Sequence, residues 1–293
     1  FGMIDILPAA PHGTTDQMSP THAPVPTTIR MAYLAFGDIS ADGNCSAPQA
    51  IWALEESAPY RFHFRWWVLV LNRSMSDVTA GGGLGVLDLF VFGAGQIADV
   101  IGSYFRESGS FREVFYVVDD DFVGHEAEVD GPILGWDEGI RLARPDDDLW
   151  FTAISFKMRN RLRFGVAQRI LELGFSFASY VHPTTTLWDG FQLPANTIIM
   201  ENNVLQRKVS LGANSIVWSN NHVGHHTSIG ANTFISSEVC ISGNCEIRDG
   251  CFFGVNSTLY DGVRVGNEAI VGAGSVVTSD VPDNGVISGP RSV

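Results

Sequence analysis

Residues 217–241 of this chain read VWSNNHVGHHTSIGANTFISSEVCI. Within this stretch every sixth residue has a branched aliphatic side chain, and these residues are Val217, Val223, Ile229, Ile235 and Ile241. A period of six matches neither the 3.6-residue period of a helix nor the two-residue period of a plain strand. It is typical of a solenoid whose coils turn after each short flat face, with one large apolar side chain per face pointing inward.

The same frame extends far beyond this stretch. Stepping by six from Val181 to Val277 gives seventeen positions, and all seventeen carry an apolar residue. Four residues after each of them, Ser, Thr, Ala, Val or Cys stands at fourteen of the seventeen positions. Three faces make a coil of about 18 residues, and stacked coils pair through parallel strands roughly 4.8 Å apart. The sequence therefore predicts that residues 18 apart lie directly above one another.

One pair of polar residues shares an inward position in this frame. Asn203 and Asn221 are 18 residues apart, so the stacking predicts that one lies above the other. Side-chain amides stacked in this way can form a hydrogen-bonded ladder. We expect this ladder to be structural.

Composition limits the class of protein. The 293 residues are 45% apolar and 17% charged, so the chain can bury a large core. A net charge of −14 argues against a nucleic-acid partner, and no apolar run reaches the roughly 18 residues of a membrane helix. No signal peptide is visible. The four cysteines, which we expect to be reduced and buried in a cytoplasmic protein, are Cys45, Cys240, Cys245 and Cys251.

Before the repeat, the chain divides into two zones. Residues 1–85 are rich in Pro, Thr and Ala and have little periodicity, and we expect them to be a poorly ordered or non-native extension. Residues 86–180 alternate short apolar strands with helical spacing, and the strands are predicted at 86–92, 114–118 and 150–154. This order predicts a small parallel sheet with helices on its faces.

The six-residue repeat over 181–293 resembles that of the hexapeptide-repeat acyltransferases, which fold as left-handed parallel β-helices. The handedness is what the resemblance implies, because the periodicity alone does not fix it. A purely structural β-solenoid is the alternative.

Histidines cluster at one corner of the predicted coils. Val223 and Thr227 point inward in the repeat frame, so His225 and His226 point outward. Gly243 follows His225 by 18 residues, which places a backbone N–H that a ligand can approach closely beside an imidazole. Acyl transfer needs a base near neutral pH and a donor for the developing oxyanion. We therefore predict His225 as the general base and the Gly243 N–H as the oxyanion donor.

From about 89 to 291 the chain resembles the sialic acid/sugar O-acyltransferase group and the related nucleotide-aminosugar N-acetyltransferases. The matching stretches are Phe92-Gly93-Ala94-Gly95, the strand end Val118-Asp119, 155–159, 180–183, 222–229 and 253–257. The resemblance implies a homotrimer that uses acetyl-coenzyme A in the groove between neighbouring β-helices. It also implies that His225 is the catalytic histidine and that Gly243 contacts the acetyl oxygen.

The same resemblance suggests further binding residues. Gly272 and Gly274 flank an implied coenzyme A site, and Arg291 lies in a tail that is similar to the one closing over the cofactor. A glutamate follows the histidine in the aminosugar enzymes, whereas His226 stands in that place here. The resemblance therefore does not identify the group that orients the His225 ring, which is either a backbone carbonyl or a residue of the adjacent subunit. We place His226 among the substrate-binding candidates.

The glycine-rich turn after the first predicted strand is compatible with phosphate binding. Gly93 and Gly95 precede a predicted helix, whose first N–H groups can hold phosphates, and Asp119 lies 26 residues after Gly93. A region of about 95 residues with three clear strands is about half the size of a dinucleotide-binding domain, so we expect it to bind a mononucleotide. By resemblance, Gly93, Gly95, Asp119 and Arg159 are candidates for binding a nucleotide-linked sugar. A tight turn in a non-binding sheet is the alternative.

We expect a small α/β Rossmann-like domain followed by a left-handed β-helix. The expected function is acetyl transfer from acetyl-coenzyme A to a hydroxyl or amino group of a sugar, nucleotide-linked, in bacterial-type surface glycan synthesis. The alternatives are a non-sugar small acceptor and a non-catalytic scaffold that binds nucleotide-sugars. A zinc site like that of the γ-type carbonic anhydrases is disfavoured, because three histidines so close on one strand and corner cannot easily converge tetrahedrally.

Overall fold

The computed structural model describes residues 87–125 and 127–289. The extension predicted over 1–85 lies outside the described residues, as do Cys45 and Arg291. No helix in these ranges is both long and apolar enough to span a membrane.

The first part of the described chain is a five-stranded sheet in the order β3-β2-β1-β4-β5, with all strands parallel. Its strands are β1 (Leu89–Phe92), β2 (Val114–Val118), β3 (Ile133–Gly135), β4 (Leu149–Thr152) and β5 (Ser176–Phe177). The sequence predicts β1, β2 and β4. It misses β3 and β5, which have only three and two residues and are too short for a periodic signal.

Three helices cover the two faces of this sheet, namely α1 (Gln96–Glu107), α2 (Trp136–Leu142) and α3 (Arg161–Glu172). On α1, Ala98, Ile101 and Phe105 are buried in the cluster that joins the sheet to the coils. On the opposite face, residues of α2 and α3 pack with Trp150 of β4 in a second cluster. The sheet is therefore buried on both faces, which agrees with its nearly continuous apolar strands.

The remaining chain winds through three parallel sheets, which form the three faces of a coil. The seven-stranded sheet contains β6 (Tyr180–Val181), β8 (Ile198–Ile199), β11 (Ile216–Val217), β14 (Phe234–Ile235), β17 (Phe252–Phe253), β20 (Ile270–Val271) and β22 (Val286–Ile287). The six-stranded sheet contains β7 (Thr186–Leu187), β9 (Val204–Leu205), β12 (His222–Val223), β15 (Cys240–Ile241), β18 (Thr258–Leu259) and β21 (Val276–Val277). The four-stranded sheet contains β10 (Ser210–Leu211), β13 (Ser228–Ile229), β16 (Glu246–Ile247) and β19 (Arg264–Val265).

The predicted register of 18 residues is present from coil to coil. Leu211 pairs with Ile229, and Ile229 pairs with Ile247. The second residue of each of these strands points inward and is buried in one continuous core. Leu193 packs against this core as predicted, but no strand forms around it. Pro194 follows at once, and its missing N–H removes a donor that a strand needs.

The predicted asparagine ladder differs in detail from the expectation. Asn203 and Asn221 are buried, but their side-chain amides do not bond to each other. Instead, Asn203 Oδ1 accepts the backbone N–H of Asn221 at 3.0 Å, and Asn221 Oδ1 accepts that of Val239 at 2.7 Å. Both Nδ2 groups donate to the carbonyl of Trp218. The two amides thus satisfy backbone groups at a buried corner.

An amide-to-amide ladder occurs at another corner, between the four-stranded and seven-stranded sheets. Asn196 Nδ2 donates to Asn214 Oδ1 at 2.7 Å, and Asn214 Nδ2 donates to Asn232 Oδ1 at 2.9 Å. All three residues have φ between 53° and 58°, a left-handed conformation that asparagine tolerates. The ladder is buried because the α/β part covers this corner.

Arg163 and Tyr104 are among the residues that tie the α/β part to the coils. On α3, Arg163 is fully buried and donates to the backbone carbonyls of Asn214 and Thr233 at 3.2 and 3.3 Å. Burial lowers the pKa of Arg163 to about 9. On α1, the Tyr104 hydroxyl donates to Glu201 at 2.5 Å. The α/β part therefore covers the seven-stranded sheet and its corner with the four-stranded sheet.

The last described coil is shorter than the others. Val265 bridges to Val281, and Ile270 pairs with Val286, which are separations of 16 residues instead of 18. Asp283 caps this shortened turn, because its Oδ1 accepts the backbone N–H of Asn267 at 2.7 Å.

Candidate active site

His225 stands at the corner where the chain leaves the six-stranded sheet for the four-stranded sheet. Only Gly224 separates it from β12, and it is exposed, as the repeat frame predicts. Its backbone N–H donates to the side-chain oxygen of Gln206 at 3.0 Å. This corner is opposite the seven-stranded sheet, so the α/β part of the same chain does not cover it.

Gly243 lies against the ring of His225, one coil further along. A β-carbon added to Gly243 would be 2.7 Å from His225 Cε1 and 3.0 Å from His225 Nε2. The structure therefore brings together the two residues that the sequence predicts as base and oxyanion donor. The contact leaves room only for a glycine, unless the imidazole moves.

The backbone N–H of Gly243 makes no hydrogen bond to any residue of the described chain. At the same position of neighbouring repeats, the N–H of His225 donates to Gln206 and that of Ala231 donates to Asp249. Amides at this position therefore point outward, towards side chains or ligands. The Gly243 amide is a free donor beside a histidine, which is the arrangement that an oxyanion requires.

His226 supplies a contact that sequence reasoning missed. Its Nδ1 lies 3.1 Å from Nδ1 of His225, and the two rings are nearly perpendicular. His226 lies in the turn after β12 and has φ of 60°, a left-handed conformation in which its ring faces that of His225. The signal in the sequence is the asparagine found at the equivalent position in other repeats, such as Asn220 and Asn232, because asparagine favours this conformation.

Asp261 is a second residue that the sequence analysis did not select. It lies 18 residues after Gly243, on the far side from His225. A β-carbon on Gly243 would be 2.9 Å from Asp261 Oδ1. Its exposed carboxylate makes only long contacts, of 3.4 and 3.5 Å, with Asn244 Nδ2.

Beside His225 the six-stranded sheet carries an open groove of about 350 Å³. The groove extends from His225 towards the first coils, away from Gly243. Its lining residues are Thr186, Leu187, Trp188, Val204, Leu205, Gln206, Arg207 and His225. A ligand in this groove and one at Gly243 would approach the same imidazole from two sides.

Comparisons with known proteins agree with this architecture. Residues 246–279 match the family model described as the hexapeptide repeat of succinyl-transferase. The acetyltransferase domain of PglB from Neisseria gonorrhoeae FA1090, in complex with acetyl coenzyme A, is similar with a TM-score of 0.63 at 24% identity, over 70% of this chain and 97% of that one. No curated protein sequence matches the chain.

Two further solved structures are similar. PerB from Caulobacter crescentus, in complex with CoA and GDP-perosamine, has a TM-score of 0.59 at 24% identity, over 70% of this chain and 95% of that one. WeeI from Acinetobacter baumannii AYE has a TM-score of 0.62 at 18% identity, over 69% and 97%. The chain has the fold of the hexapeptide-repeat acetyltransferases. The predicted left-handed parallel β-helix is thereby confirmed.

Within this hexapeptide-repeat fold, the predicted phosphate-binding turn follows β1. Gly93 has φ of 129°, and a β-carbon there would be 2.8 Å from the carbonyl oxygen of Ala153, so only glycine fits. Gly95 caps α1 and faces open space. Asp119 ends β2, and its carboxylate binds Arg169 at 2.9 Å. The turn and Asp119 thus lie at the carboxyl edge of the sheet, where α/β folds bind ligands.

Arg159 does not join that turn. Its Nη1 donates to the backbone carbonyls of Glu268 and Asn284, at 2.5 and 3.3 Å. The structure therefore uses Arg159 to hold the α/β part on the last coils. Its φ of 55° lies within a run of three left-handed residues, which begins at Met158 and ends at Asn160. The nucleotide-binding role of Arg159 stays a prediction, since the structure shows only that its Nη1 donates to carbonyls of the coils.

Gly272 and Gly274 lie at the corner between the seven-stranded and six-stranded sheets. This is a different corner from that of His225 and Gly243, so one chain does not bring the four residues together. Gly274 has φ of 66°, and the N–H of Gly272 donates to the carbonyl of Ile287 at 2.8 Å.

Side chains that bind metals do not gather at this site. Within residues 87–125 and 127–289, no group of three or more His, Cys, Asp or Glu side chains is placed to hold a metal ion. Cys245 and Cys251 are buried and free, as expected, and burial raises the pKa of the Cys251 thiol to about 12. Cys240 is exposed, contrary to expectation, because the first residue of each coil strand points outward.

Proposed function

We propose that this protein is an acetyl-coenzyme A-dependent acetyltransferase, acting on a hydroxyl or amino group of a nucleotide-linked sugar. The observation that carries the proposal is the closeness of the His225 ring to Gly243, whose backbone N–H makes no hydrogen bond to the described residues. The solved structures of similar fold support the donor and the acceptor class, since one contains acetyl coenzyme A and another contains CoA and GDP-perosamine.

The proposed reaction starts with a proton transfer to His225. His226 Nδ1 accepts the Nδ1 hydrogen of His225, which leaves His225 Nε2 unprotonated and able to act as a base. The acceptor hydroxyl or amine gives its proton to Nε2 while its oxygen or nitrogen bonds to the thioester carbon. His226 thus takes the orienting place in our proposal, instead of the substrate-binding place first expected for it.

The carbonyl oxygen becomes negative in the tetrahedral intermediate, where the Gly243 N–H donates a hydrogen bond to it. One such donor typically contributes about 3 kcal/mol to the transition state. Collapse of the intermediate breaks the carbon–sulfur bond, and the imidazolium returns its proton to the leaving thiolate. Proton and charge balance, and His225 ends in its starting state.

The nucleotide of the acceptor is proposed to bind at Gly93, Gly95 and Asp119 in a Rossmann-like domain. The strand order β3-β2-β1-β4-β5 supports this proposal, because it is the order of the nucleotide-binding doubly wound sheets. The first N–H groups of α1 would bind the phosphates. Asp119 would have to exchange its contact with Arg169 for one with the ribose.

We propose a homotrimer in which neighbouring chains complete each site. The corner with His225 is opposite the seven-stranded sheet, which the α/β part covers. An acceptor bound at Gly95 can therefore meet a His225 only in another copy of the chain. Gly272 and Gly274 would contact coenzyme A in the same way, from the neighbouring β-helix, and Arg291 remains a candidate in the tail. We further propose a cytoplasmic enzyme of bacterial-type surface glycan synthesis.

The test is thiol release from acetyl-coenzyme A across a panel of nucleotide-linked sugars, nucleotide-linked aminosugars, free sugars and amino acids. We expect release with at least one nucleotide-linked acceptor, and a rate at least about 100-fold lower for His225→Asn. His125→Asn is the control, because His125 is an exposed histidine of the α/β part. Equal rates for His225→Asn and wild type contradict the role of His225. Acetyl-coenzyme A binding without any turnover contradicts an enzyme and favours a scaffold.

A further inference from the structure

The groove beside His225 differs in charge from the rest of the molecule. The chain has 32 acidic and 18 basic residues, yet none of the eight lining residues is Asp or Glu. Arg207 is the cation among them, and it is exposed. No ion pair joins Arg207 to a carboxylate of the described residues. The groove therefore presents an uncompensated positive charge next to the proposed base.

The indole of Trp188 is held in place at the other end of the groove. Its Nε1 donates to the backbone carbonyl of Val209 at 3.2 Å. Gly190, with φ of 97°, brings the backbone close to this indole. A β-carbon added to Gly190 would be 2.9 Å from the ring of Trp188. A fixed, half-buried indole offers a flat apolar surface on which a sugar ring can pack.

Gln206 links the groove to the base. Its Oε1 accepts the backbone N–H of His225, whereas its Nε2 makes no hydrogen bond to another described residue. The N–H groups of the Gln206 side chain are therefore available to a ligand. The groove consequently offers hydrogen-bond donors from Gln206 and Arg207, an aromatic face from Trp188, and no acidic group.

We infer that the groove binds a second anionic substituent of the acceptor sugar, a phosphate or a carboxylate apart from the nucleotide phosphates that α1 would bind; Arg207 holds it while Trp188 packs against the ring. Charge-assisted bonds from guanidinium to such oxoanions are short and strong. The inference rests on the proposed acetyl transfer and adds a substrate class to it. The reactive hydroxyl or amine then reaches His225 from the groove, and the thioester reaches it from the side of Gly243.

The test compares three acceptors that differ in their anionic group: glucosamine, glucosamine 6-phosphate and the carboxylate-bearing glucosaminuronate. Steady-state kinetics are measured for wild type, Arg207→Gln and Lys208→Asn. Lys208 is a matched control, since it is the next residue, exposed and cationic, but does not line the groove, and its φ of 64° suits asparagine.

We expect Arg207→Gln to raise KM for the preferred anionic acceptor by about tenfold or more, with kcat within about twofold. KM for glucosamine should not change, and Lys208→Asn should change each value by less than about threefold. The phosphate and carboxylate acceptors identify which anion is bound. Equal KM values for neutral and anionic acceptors, or equal effects of the two variants, overturn the inference while leaving acetyl transfer intact.

A binding measurement separates this inference from the proposed function. Calorimetric titration of glucosamine 6-phosphate into the full chain needs no turnover. Binding that Arg207→Gln weakens by about tenfold or more supports the groove, even if no thiol is released. Absence of binding to wild type, together with acetyl transfer to glucosamine, overturns the groove alone.

Discussion

The ring of His225 covers Gly243 so closely that a β-carbon on Gly243 would lie 3.0 Å from Nε2 of the imidazole. Gly243 is not in a left-handed conformation, so the closeness of this ring, and not backbone strain, requires a glycine. A side chain at this position would also approach the carboxylate of Asp261. The proposed base and oxyanion donor are therefore coupled, because moving one moves the other.

Gly243→Ala should displace the imidazole and lower kcat by about 100-fold, with little loss of stability. The coil backbone does not depend on Gly243 for its turn, so circular dichroism and thermal unfolding should resemble those of wild type. Gly165→Ala, in α3 where a β-carbon meets no atom within 4 Å, is the control. An alanine variant with wild-type kcat would show that the imidazole acts from another position.

His226 should set the tautomer of His225. His226→Asn preserves the left-handed backbone but removes the ring, so kcat should fall at least about tenfold. His226→Glu offers a carboxylate acceptor and should recover most of this loss. If both variants match wild type in kcat, the orienting partner of His225 lies elsewhere.

Arg163 should contribute strongly to stability. Arg163→Met leaves the buried carbonyl of Asn214 without a donor and removes one of the two donors to the carbonyl of Thr233, which should cost about 2–4 kcal/mol of unfolding free energy. Arg161→Met is the control two residues away, because its exposed ion pair with Glu268 should contribute no more than about 1 kcal/mol. Urea unfolding followed by tryptophan fluorescence measures both. A smaller effect for Arg163 than for Arg161 contradicts the expectation.

Glu201 should make stability depend on acid pH. Burial raises the pKa of Glu201, but hydrogen bonds from Tyr104 and Ser219 outweigh it and hold the pKa below its ordinary value of 4.5. The charged carboxylate therefore stabilises the fold above that pH, and this contribution is lost as pH falls through the lower folded-state pKa. Glu201→Gln should be about 1 kcal/mol less stable at pH 7. The difference in unfolding free energy between Glu201→Gln and wild type, measured by urea unfolding, should shrink below pH 4.5. A difference that stays constant with pH would exclude the charge as its cause.

The coils can be predicted from the sequence because the same six-residue pattern applies to every face of every coil. A large inward residue every six positions fixes the register, and the register places Gly243 beside His225 without knowledge of any other contact. The α/β part is predicted less completely. Strands as short as β3 and β5 carry no period, and their pairing with β2 and β4 decides where they form.

No local sequence pattern predicts the contacts between the α/β part and the coils. Arg159 matches the family pattern for its stretch, yet it binds carbonyls of Glu268 and Asn284, which are more than 100 residues away. The contact between His226 and His225 was missed for a different reason: the repeat frame predicts that both side chains point outward, but not that a left-handed residue brings the two rings together. The recurring asparagines at that position carry this information, because each marks a turn that redirects a side chain.

The strands that carry the site occupy the middle of the six-stranded sheet, where β12 and β15 have two strands on each side. In a linear stack each coil is supported only by its nearest neighbours, so thermal opening begins at the ends and proceeds inward. Fraying of the outermost coils would leave His225 and Gly243 in register. Amide hydrogen exchange should accordingly be slowest in these central strands, and loss of activity on heating should follow the opening of the whole stack and not of its ends.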